Sequence, residues 1–405
     1  MPAKTLLSST ERLGDVDAAA GVGVRTEHAH VDIPAIINRK RELVDYFAED
    51  RRHDLERFPL MRGRARFTAP DAIEVAGRRI RAERFVLATG SRIVAPPIRG
   101  LKESGYLTSD DVLELKAVPA SIAVIGAGPV GCEFAQYFAR LGARVTLVQD
   151  GPHLLHHEDR DVGDAVAAAL QAEGIDVVFD AHIDACVRSG DETIVRYAAG
   201  GIAGSVRVAA LLLATGRMPN LDELGLAAAG VIADNGRLAV DPYLRTTNPR
   251  ILAAGDVAGR RCLVHLAAYT GKLAVYNAFA EHPRVADFDR FELHAVYTQP
   301  QVAVAGLTER ACRARAIAVR IERHPFSDLG KALVSNEPAG FIKMIAAADG
   351  RIVGVAIVGN DAIDLIGEAS ALIDRGATAG EVAAMPHLHP TMGEIFGRVA
   401  EKLAA

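Results

Sequence analysis

SIAVIGAGPVGCEFAQYFARLGARVTLVQD, residues Ser121 to Asp150, is the stretch from which the fold is read. Its short apolar run, Ile122 to Ile125, has the character of a buried parallel strand and breaks directly into Gly126-x-Gly128-x-x-Gly131. Apolar residues then recur at helical spacing through Phe134, Tyr137, Phe138 and Leu141, and a second strand follows from Arg144 to Gln149. In a strand, turn and helix of this kind the three glycines have separate tasks. Gly126 permits the turn, Gly128 lets the backbone approach a pyrophosphate, and Gly131 lets the helix pack close to the strand. The helix N-terminus then points free N–H groups and partial positive charge at the phosphates. A glycine triplet by itself is weak evidence. With its strand, helix and second strand in place it reads as a dinucleotide site, against the alternative of a plain glycine-rich turn.

Two further strands flank this motif. Phe85-Val86-Leu87-Ala88 runs into Thr89-Gly90-Ser91, a buried strand that stops at small residues, where a ligand sits at a strand's carboxyl end. Leu211 to Arg217, LLLATGR, repeats it almost letter for letter. Two such copies, one before the glycine motif and one after it, suggest two nucleotide-binding domains built alike. Between them the pattern gives a helix from about Asp159 to Glu173, a strand from Ile175 to Phe179 and a β-meander from Ile183 to Val208. Beyond them RILAAGDVAG, Arg250 to Gly259, is another apolar strand ending on glycine and a carboxylate. Asp256 there can accept hydrogen bonds from sugar or polyol hydroxyls, with Gly255 clearing room; the alternative is a strand cap with a solvated carboxylate.

Toward the start, residues 1 to 33 show little periodicity. Pro34 opens a helix with an apolar face of Ile36, Ile37, Leu43, Val44, Phe47 and Leu55, while Arg39, Lys40, Arg41, Arg51 and Arg52 read as a solvated face. Ala65 to Phe67 reads as a strand and Ala72 to Arg81 as a hairpin around Gly77. Past Phe288 the character changes to a separate α+β domain. It has strands over Ala295 to Gly306, a hairpin from Phe341 to Val358 around Asp349-Gly350, and an amphipathic helix from Asp361 to Arg375. Its most polar constellation is MPHLHPTMGEIF, Met385 to Phe396. His389 precedes a proline and Glu394 lies five residues on, so a carboxylate can fix the tautomer of an imidazole and raise its basicity. His387 and His389 as metal ligands lack an obvious third partner nearby.

The 405 residues suffice for two or three domains, and at 50% hydrophobic content each can bury a core. A net charge of −5 argues against nucleic acid or an anionic membrane as partner. No apolar run reaches the roughly 18 residues that span a bilayer, and MPAKTLLSST lacks a signal peptide's apolar region, so a cytoplasmic protein is expected. Cys132, Cys186, Cys262 and Cys312 are dispersed, which argues for buried thiols acting as small apolar residues and against a zinc site. Cys132 stands out, since a helix N-terminus favours thiolate.

The order of the Ala-Thr-Gly strand, GAGPVGCE, ATGRMPN, AAGD and a closing HPTMGE resembles the class I pyridine nucleotide-disulfide oxidoreductases, which include lipoamide dehydrogenase, glutathione reductase, mercuric reductase and soluble transhydrogenase. The resemblance covers the whole chain and implies an α/β fold with two Rossmann-like nucleotide-binding domains and a C-terminal α+β dimerisation domain. The implied bounds are an FAD domain at 1–118 and 246–288, interrupted by an NAD(P) domain at 119–245, with an interface domain at 289–405. It also implies the cofactors FAD and NAD(P), a homodimer, and a small-molecule or protein-bound disulfide or dithiol substrate.

Carried over residue by residue, Gly126, Gly128 and Gly131 would hold the NAD(P) pyrophosphate, with Glu133 near the nicotinamide and Gly216 lining the same site. Asp256 would bind the flavin ribityl chain, and Ala65, Thr89, Gly90 and Val264 would lie at the flavin. His389, supported by Glu394, would be the acid–base residue serving the other subunit's active site. Gln149 stands where an acidic residue would select the NAD ribose, and Asp150 follows where NADP-specific relatives often carry arginine, a carboxylate that would repel a 2′-phosphate. The closing GRVAEKLAA has no second cysteine pair, which disfavours mercury as substrate.

The start departs from the family. MPAKTLLSS is similar to the end of its redox motif C-x4-C-V-P-x-K-x-L-L, with Met1 where valine is expected and Lys4 at the lysine that pairs with Glu133. Because GTG encodes valine yet initiates as methionine, the expectation is a longer reading frame that carries the first glycine motif and the cysteine pair. Residues 1–405 alone are then expected to purify nearly colourless. The alternatives are a redox-inactive, NAD(P)-binding dimeric remnant, or a flavoenzyme like mercuric reductase or soluble transhydrogenase.

Overall fold

Ser121–Ile125 forms a strand buried at every position, the second of a four-stranded parallel sheet. The order is Ala210–Leu213, Ser121–Ile125, Arg144–Val148 and Asp176–Val178. Strands shielded on both faces need mostly apolar residues, which is why Ile122 to Ile125 reads as a continuous apolar run. The helix Pro129–Arg140, with proline in its first turn, follows the glycine turn, and a second helix covers Arg160–Ala172. Phe134, Phe138, Val166 and Leu170 join Val124 and Leu147 in one core. The expected meander is present as the antiparallel strands Ala181–Ser189, Glu192–Ala199 and Ile202–Val208.

The computed structural model describes residues 2–26, 29–259, 261–288 and 292–405. The chain packs as two units, one of residues 1–46, 95–215 and 289–405, the other of residues 47–94 and 216–288. In the first, the C-terminal residues build a five-stranded antiparallel sheet in the order Leu293–Val296, Gln301–Gly306, Ile352–Gly359, Phe341–Ala347 and Val319–Pro325. Helices Ala362–Arg375 and Glu394–Ala404 contribute Ile366, Leu372, Ile395, Phe396 and Val399 to its core. In the second unit Phe85–Leu87 pairs in parallel with Ile251–Ala253, and a three-stranded meander spans Arg66–Ala69, Ala72–Val75 and Arg78–Arg81.

Two expectations are corrected. The first residues, which lack visible periodicity, form the helix Pro2–Ala18. Its buried residues are Thr5, Leu6, Leu7 and Thr10, too few turns of apolar side chain to register as a pattern. Met1 lies outside the described residues. Lys40 does not share the solvated face given to the basic residues of helix Ile33–Glu56: it is 4% exposed and pairs with Glu114, which Arg41 also binds at 2.6 Å. Among the described residues no helix is long and apolar enough to cross a membrane.

Candidate dinucleotide and proton-transfer sites

The glycine turn is built by exclusion of side chains. Gly126 has φ +98°, and a Cβ there would come within 2.7 Å of the Ala214 carbonyl oxygen. A Cβ on Gly131 would lie 1.9 Å from the Gly126 oxygen, so only glycine lets the helix start this close to the strand. Gly128, in extended conformation, caps the helix and would meet nothing within 4 Å. The free first-turn N–H groups and this clear approach fit a pyrophosphate.

Gln149, at the end of the next strand, turns its amide back on the turn. Its Oε1 accepts the Ala127 N–H at 3.0 Å and its Nε2 donates to Asp150 Oδ1 at 3.0 Å.

One face of the glycine-loop helix carries polar residues inward. Glu133, 3% exposed, accepts from Lys4 Nζ at 2.5 Å and from the Tyr297 N–H at 2.9 Å, while the Lys4 ammonium lies 4.0 Å from the centroid of the Tyr297 ring. Burial, then the Glu133 charge, pushes the Tyr297 phenol above its ordinary value. One turn on, Gln136 Nε2 donates to the Gln299 carbonyl at 2.7 Å and its Oε1 accepts the Gln299 N–H at 2.8 Å. Arg140 completes the row with two bonds to Glu173, at 2.9 and 2.7 Å. Cys132 does not behave as a reactive thiol: it is fully buried and burial, then the Glu133 charge, drives its pKa upward, so desolvation overrides the helix N-terminus. Cys262 departs from the expected burial and is exposed.

In the second unit the sequels of the two Ala-Thr-Gly copies meet. Ser91–Ile93 pairs antiparallel with Arg217–Pro219, and Arg217 donates from Nε to Ser91 Oγ at 2.8 Å and from Nη2 to the Ser91 carbonyl at 2.9 Å. Ser91 Oγ in turn donates to Asp256 Oδ2 at 2.6 Å. Thr89 Oγ1 donates to the Asn220 carbonyl and Asn220 Nδ2 to the Thr89 carbonyl, both at 2.9 Å. Ala65 and Thr89 line one cavity of about 540 Å³ with Phe67, Val86 and Asn220. Gly90 and Gly255, both at φ +70°, turn the chain beside it and at Asp256, and this concave, largely apolar setting fits a flavin nucleotide. Val264 is 85% exposed at the start of helix Val264–Phe279 and does not line that cavity. Gly216 has φ +110° and open space where its Cβ would be. Ser91, Arg217 and Asn220 were not singled out by sequence reasoning; the repeated Ala-Thr-Gly followed by a polar residue was the signal.

The closing motif gathers as expected. His389 Nδ1 and Glu394 Oε1 are 2.9 Å apart, and the His389 side chain is 76% exposed. His387 Nε2 is 2.9 Å from Glu368 Oε1, with its ring stacked on Phe396. Each imidazole thus has its own carboxylate. The trio that sequence reading missed is Asp159, Asp161 and Glu309, all bonded by the buried Lys343 Nζ at 2.9, 2.6 and 2.9 Å.

Comparison with known proteins agrees on a single family. Residues 3–271 match the family described as pyridine nucleotide-disulphide oxidoreductase, and residues 294–400 match its dimerisation domain. A mercuric reductase from Bacillus cereus is 34% identical over 97% of this chain, which spans 63% of that relative's length. A dihydrolipoyl dehydrogenase from Geobacillus stearothermophilus is 30% identical over 99% of this chain and 86% of the relative. The HOCl-induced flavoprotein disulfide reductase RclA from Escherichia coli superposes with a TM-score of 0.85 at 26% identity, covering 99% of this chain and 89% of that one.

Proposed function

The chain belongs to the pyridine nucleotide-disulphide oxidoreductase family, whose members are flavoprotein enzymes that bind FAD and NAD(P), and from that premise we propose an FAD-dependent NAD(P)H:disulfide oxidoreductase of the lipoamide dehydrogenase type. The observation that carries this reading is the His389–Glu394 pair at 2.9 Å, a proton-transfer device that nucleotide binding alone does not require.

In this reading residues 119–245 form the NAD(P) domain, residues 1–118 and 246–288 the FAD domain, and residues 289–405 the dimer interface. Gly126, Gly128 and Gly131 admit the NAD(P) pyrophosphate, and Glu133, with Lys4, lies at the nicotinamide. Asp256, Ala65, Thr89 and Gly90 would hold the flavin, and the exposed Val264 lies outside that cavity. When bound, flavin converts between hydride chemistry of the nicotinamide and electron-pair chemistry of thiols. The chain's own part in proton transfer falls to His389: with Nδ1 donating to Glu394, Nε2 is the nitrogen that takes a proton from a thiol or returns it. Its exposure suits service to a second copy in a homodimer, an arrangement favoured by the match to the dimerisation domain.

The test is an assay of the protein expressed from the longest in-frame start of its reading frame, supplied with FAD and NADH or NADPH, for reduction of lipoamide and for the reverse reaction. Turnover that disappears in His389→Asn is expected. A second reading, a dimer that binds NAD(P) without thiol redox chemistry, is favoured by the four free, dispersed cysteines, none with a second cysteine five positions away as C-x4-C requires. Coenzyme binding with no disulfide turnover in either direction would select that reading.

A further inference from the structure

We propose that His387, held by Glu368, is a positioning residue for His389: it fixes the loop that presents the exposed imidazole, so that proton transfer by His389 depends on a second, mostly buried imidazole. The proposal rests on the reading of His389 as the acid–base group and adds the device that sets its place.

Residues 384–393 join helix Ala379–Ala383 to helix Glu394–Ala404 without helix or strand of their own. A segment of this kind takes its shape from side chains and from the few main-chain bonds it makes. At its start the Met385 N–H donates to the Val382 carbonyl at 3.1 Å. At its end Thr391 donates from Oγ1 to the Leu388 carbonyl at 2.7 Å and from its N–H to Glu394, the carboxylate that also holds His389. These bonds stay within the loop and its two flanking helices. Leu388, between the two histidines, is 78% exposed and gives the loop no apolar anchor there. Among the described residues, the bond between His387 Nε2 and Glu368 Oε1, at 2.9 Å, is the one hydrogen bond that fastens residues 384–393 to an element elsewhere in the chain.

That element is firm. Glu368 lies on helix Ala362–Arg375, whose Ile366, Ala369 and Leu372 belong to the C-terminal core. The His387 side chain is 12% exposed against 76% for His389 two positions on. Its ring is stacked on Phe396 with the planes 10° apart, and Phe396 is fully buried. Gly397 leaves the ring its room, since a Cβ there would come within 3.3 Å of His387 Nδ1. Phe396 thus sets the plane of the imidazole and Glu368 sets its edge. The same helix start serves both rings, with Glu394 on His389 and Phe396 on His387, so three side chains on two helices fix one histidine relative to the other. Misplacing a reacting group by about 1 Å can cost on the order of 10²-fold in rate, which makes this anchoring matter for chemistry.

The test pairs kinetics with a readout that needs no turnover, in the protein expressed from the longest in-frame start of its reading frame. His387→Leu keeps an apolar side chain on Phe396 and removes the bond. Its kcat for lipoamide should fall about 10- to 100-fold with KM changed less than about three-fold, because the displaced group acts only in the chemical step. His387→Gln, whose Nε2 can donate to Glu368, should keep kcat within about three-fold of the unaltered protein. Glu368→Leu, on the other element and at a part-exposed site, should reproduce the loss and carries the comparison if His387→Leu does not fold; combining the two should cost little more than either alone. With ¹⁵N-labelled histidine, the Nδ1–H signal of the His389–Glu394 bond should broaden or vanish in both leucine variants and persist in His387→Gln. Unchanged kcat in the leucine variants, a loss in His387→Gln as large as in His387→Leu, or an undisturbed His389 signal in both leucine variants overturns the proposal. Absence of disulfide turnover in the unaltered protein removes the proposed activity, and the nitrogen signal then decides by itself whether His387 positions His389.

Discussion

His389 and Glu394 form a pair in which one carboxylate oxygen faces the imidazole Nδ1 at 2.9 Å while the other accepts the Thr391 N–H at 3.0 Å. Both lone-pair sets of Glu394 are thereby assigned, and the carboxylate is fixed relative to the loop that carries the histidine. In the proposed reaction His389→Asn should lower kcat by about 10²–10⁴, the range of a lost general acid–base group. Glu394→Gln should cost less, since the imidazole remains. Steady-state kinetics of both variants with lipoamide provide the check.

The same pair makes a prediction about pH. The His389 bond, followed by the Thr391 N–H, holds the Glu394 carboxyl below its ordinary value of 4.5. A carboxyl depressed in the folded state adds stability that is present above its unfolded pKa and lost as the pH falls through the folded one. The pair should therefore persist through mild acid and release only below 4.5. Carboxyl carbon NMR should give a Glu394 midpoint below that of an exposed glutamate; a midpoint at or above it contradicts the bond.

Lys343 offers a test of stability. Burial works to lower its pKa, but the bonds to Asp161, Asp159 and Glu309 outweigh burial and hold the ammonium above its ordinary 10.5. Its contribution is complete below that value and is lost as the pH rises through the raised one. Lys343→Met leaves three carboxylates facing one another and should destabilise the fold by about 3–5 kcal/mol in urea denaturation. Millimolar Ca²⁺ should recover part of the loss in the variant alone, because the three carboxylate oxygens lie within 4.8 Å of one another.

The glycines should separate packing from binding. Gly131→Ala places a Cβ against the Gly126 oxygen and should destabilise the fold by about 1–3 kcal/mol. Gly128→Ala meets open space, so it should leave the melting temperature nearly unchanged and yet weaken the coenzyme whose pyrophosphate needs that approach. Melting curves and coenzyme titration on the two variants should give opposite patterns.

What was legible in the sequence follows from the range of the forces that leave a trace. Buried parallel strands such as Ser121–Ile125 are marked by unbroken apolar residues, and the glycine turn by residues that tolerate no Cβ, so both could be read locally. His389 and Glu394 were legible for the same reason, five positions apart in one loop and helix start. The helix Pro2–Ala18 was not, because it is fixed by partners far along the chain, among them Glu133 for Lys4. The Lys343 cluster joins positions 159, 161, 309 and 343, and no local pattern announces it. Cys132 is buried, as read for the dispersed cysteines, and the helix start that made it stand out favours a thiolate only where water can reach the sulfur.

The amide of Gln136 does for a loop what a neighbouring strand does inside a sheet, offering one donor and one acceptor to the main chain of a single residue, Gln299. That two-way rung leaves no slack between the helix that begins at the pyrophosphate turn and the peptide leading into strand Gln301–Gly306. With its N–H held by that rung, the Gln299 amide should be among the slowest in its segment to exchange with deuterium.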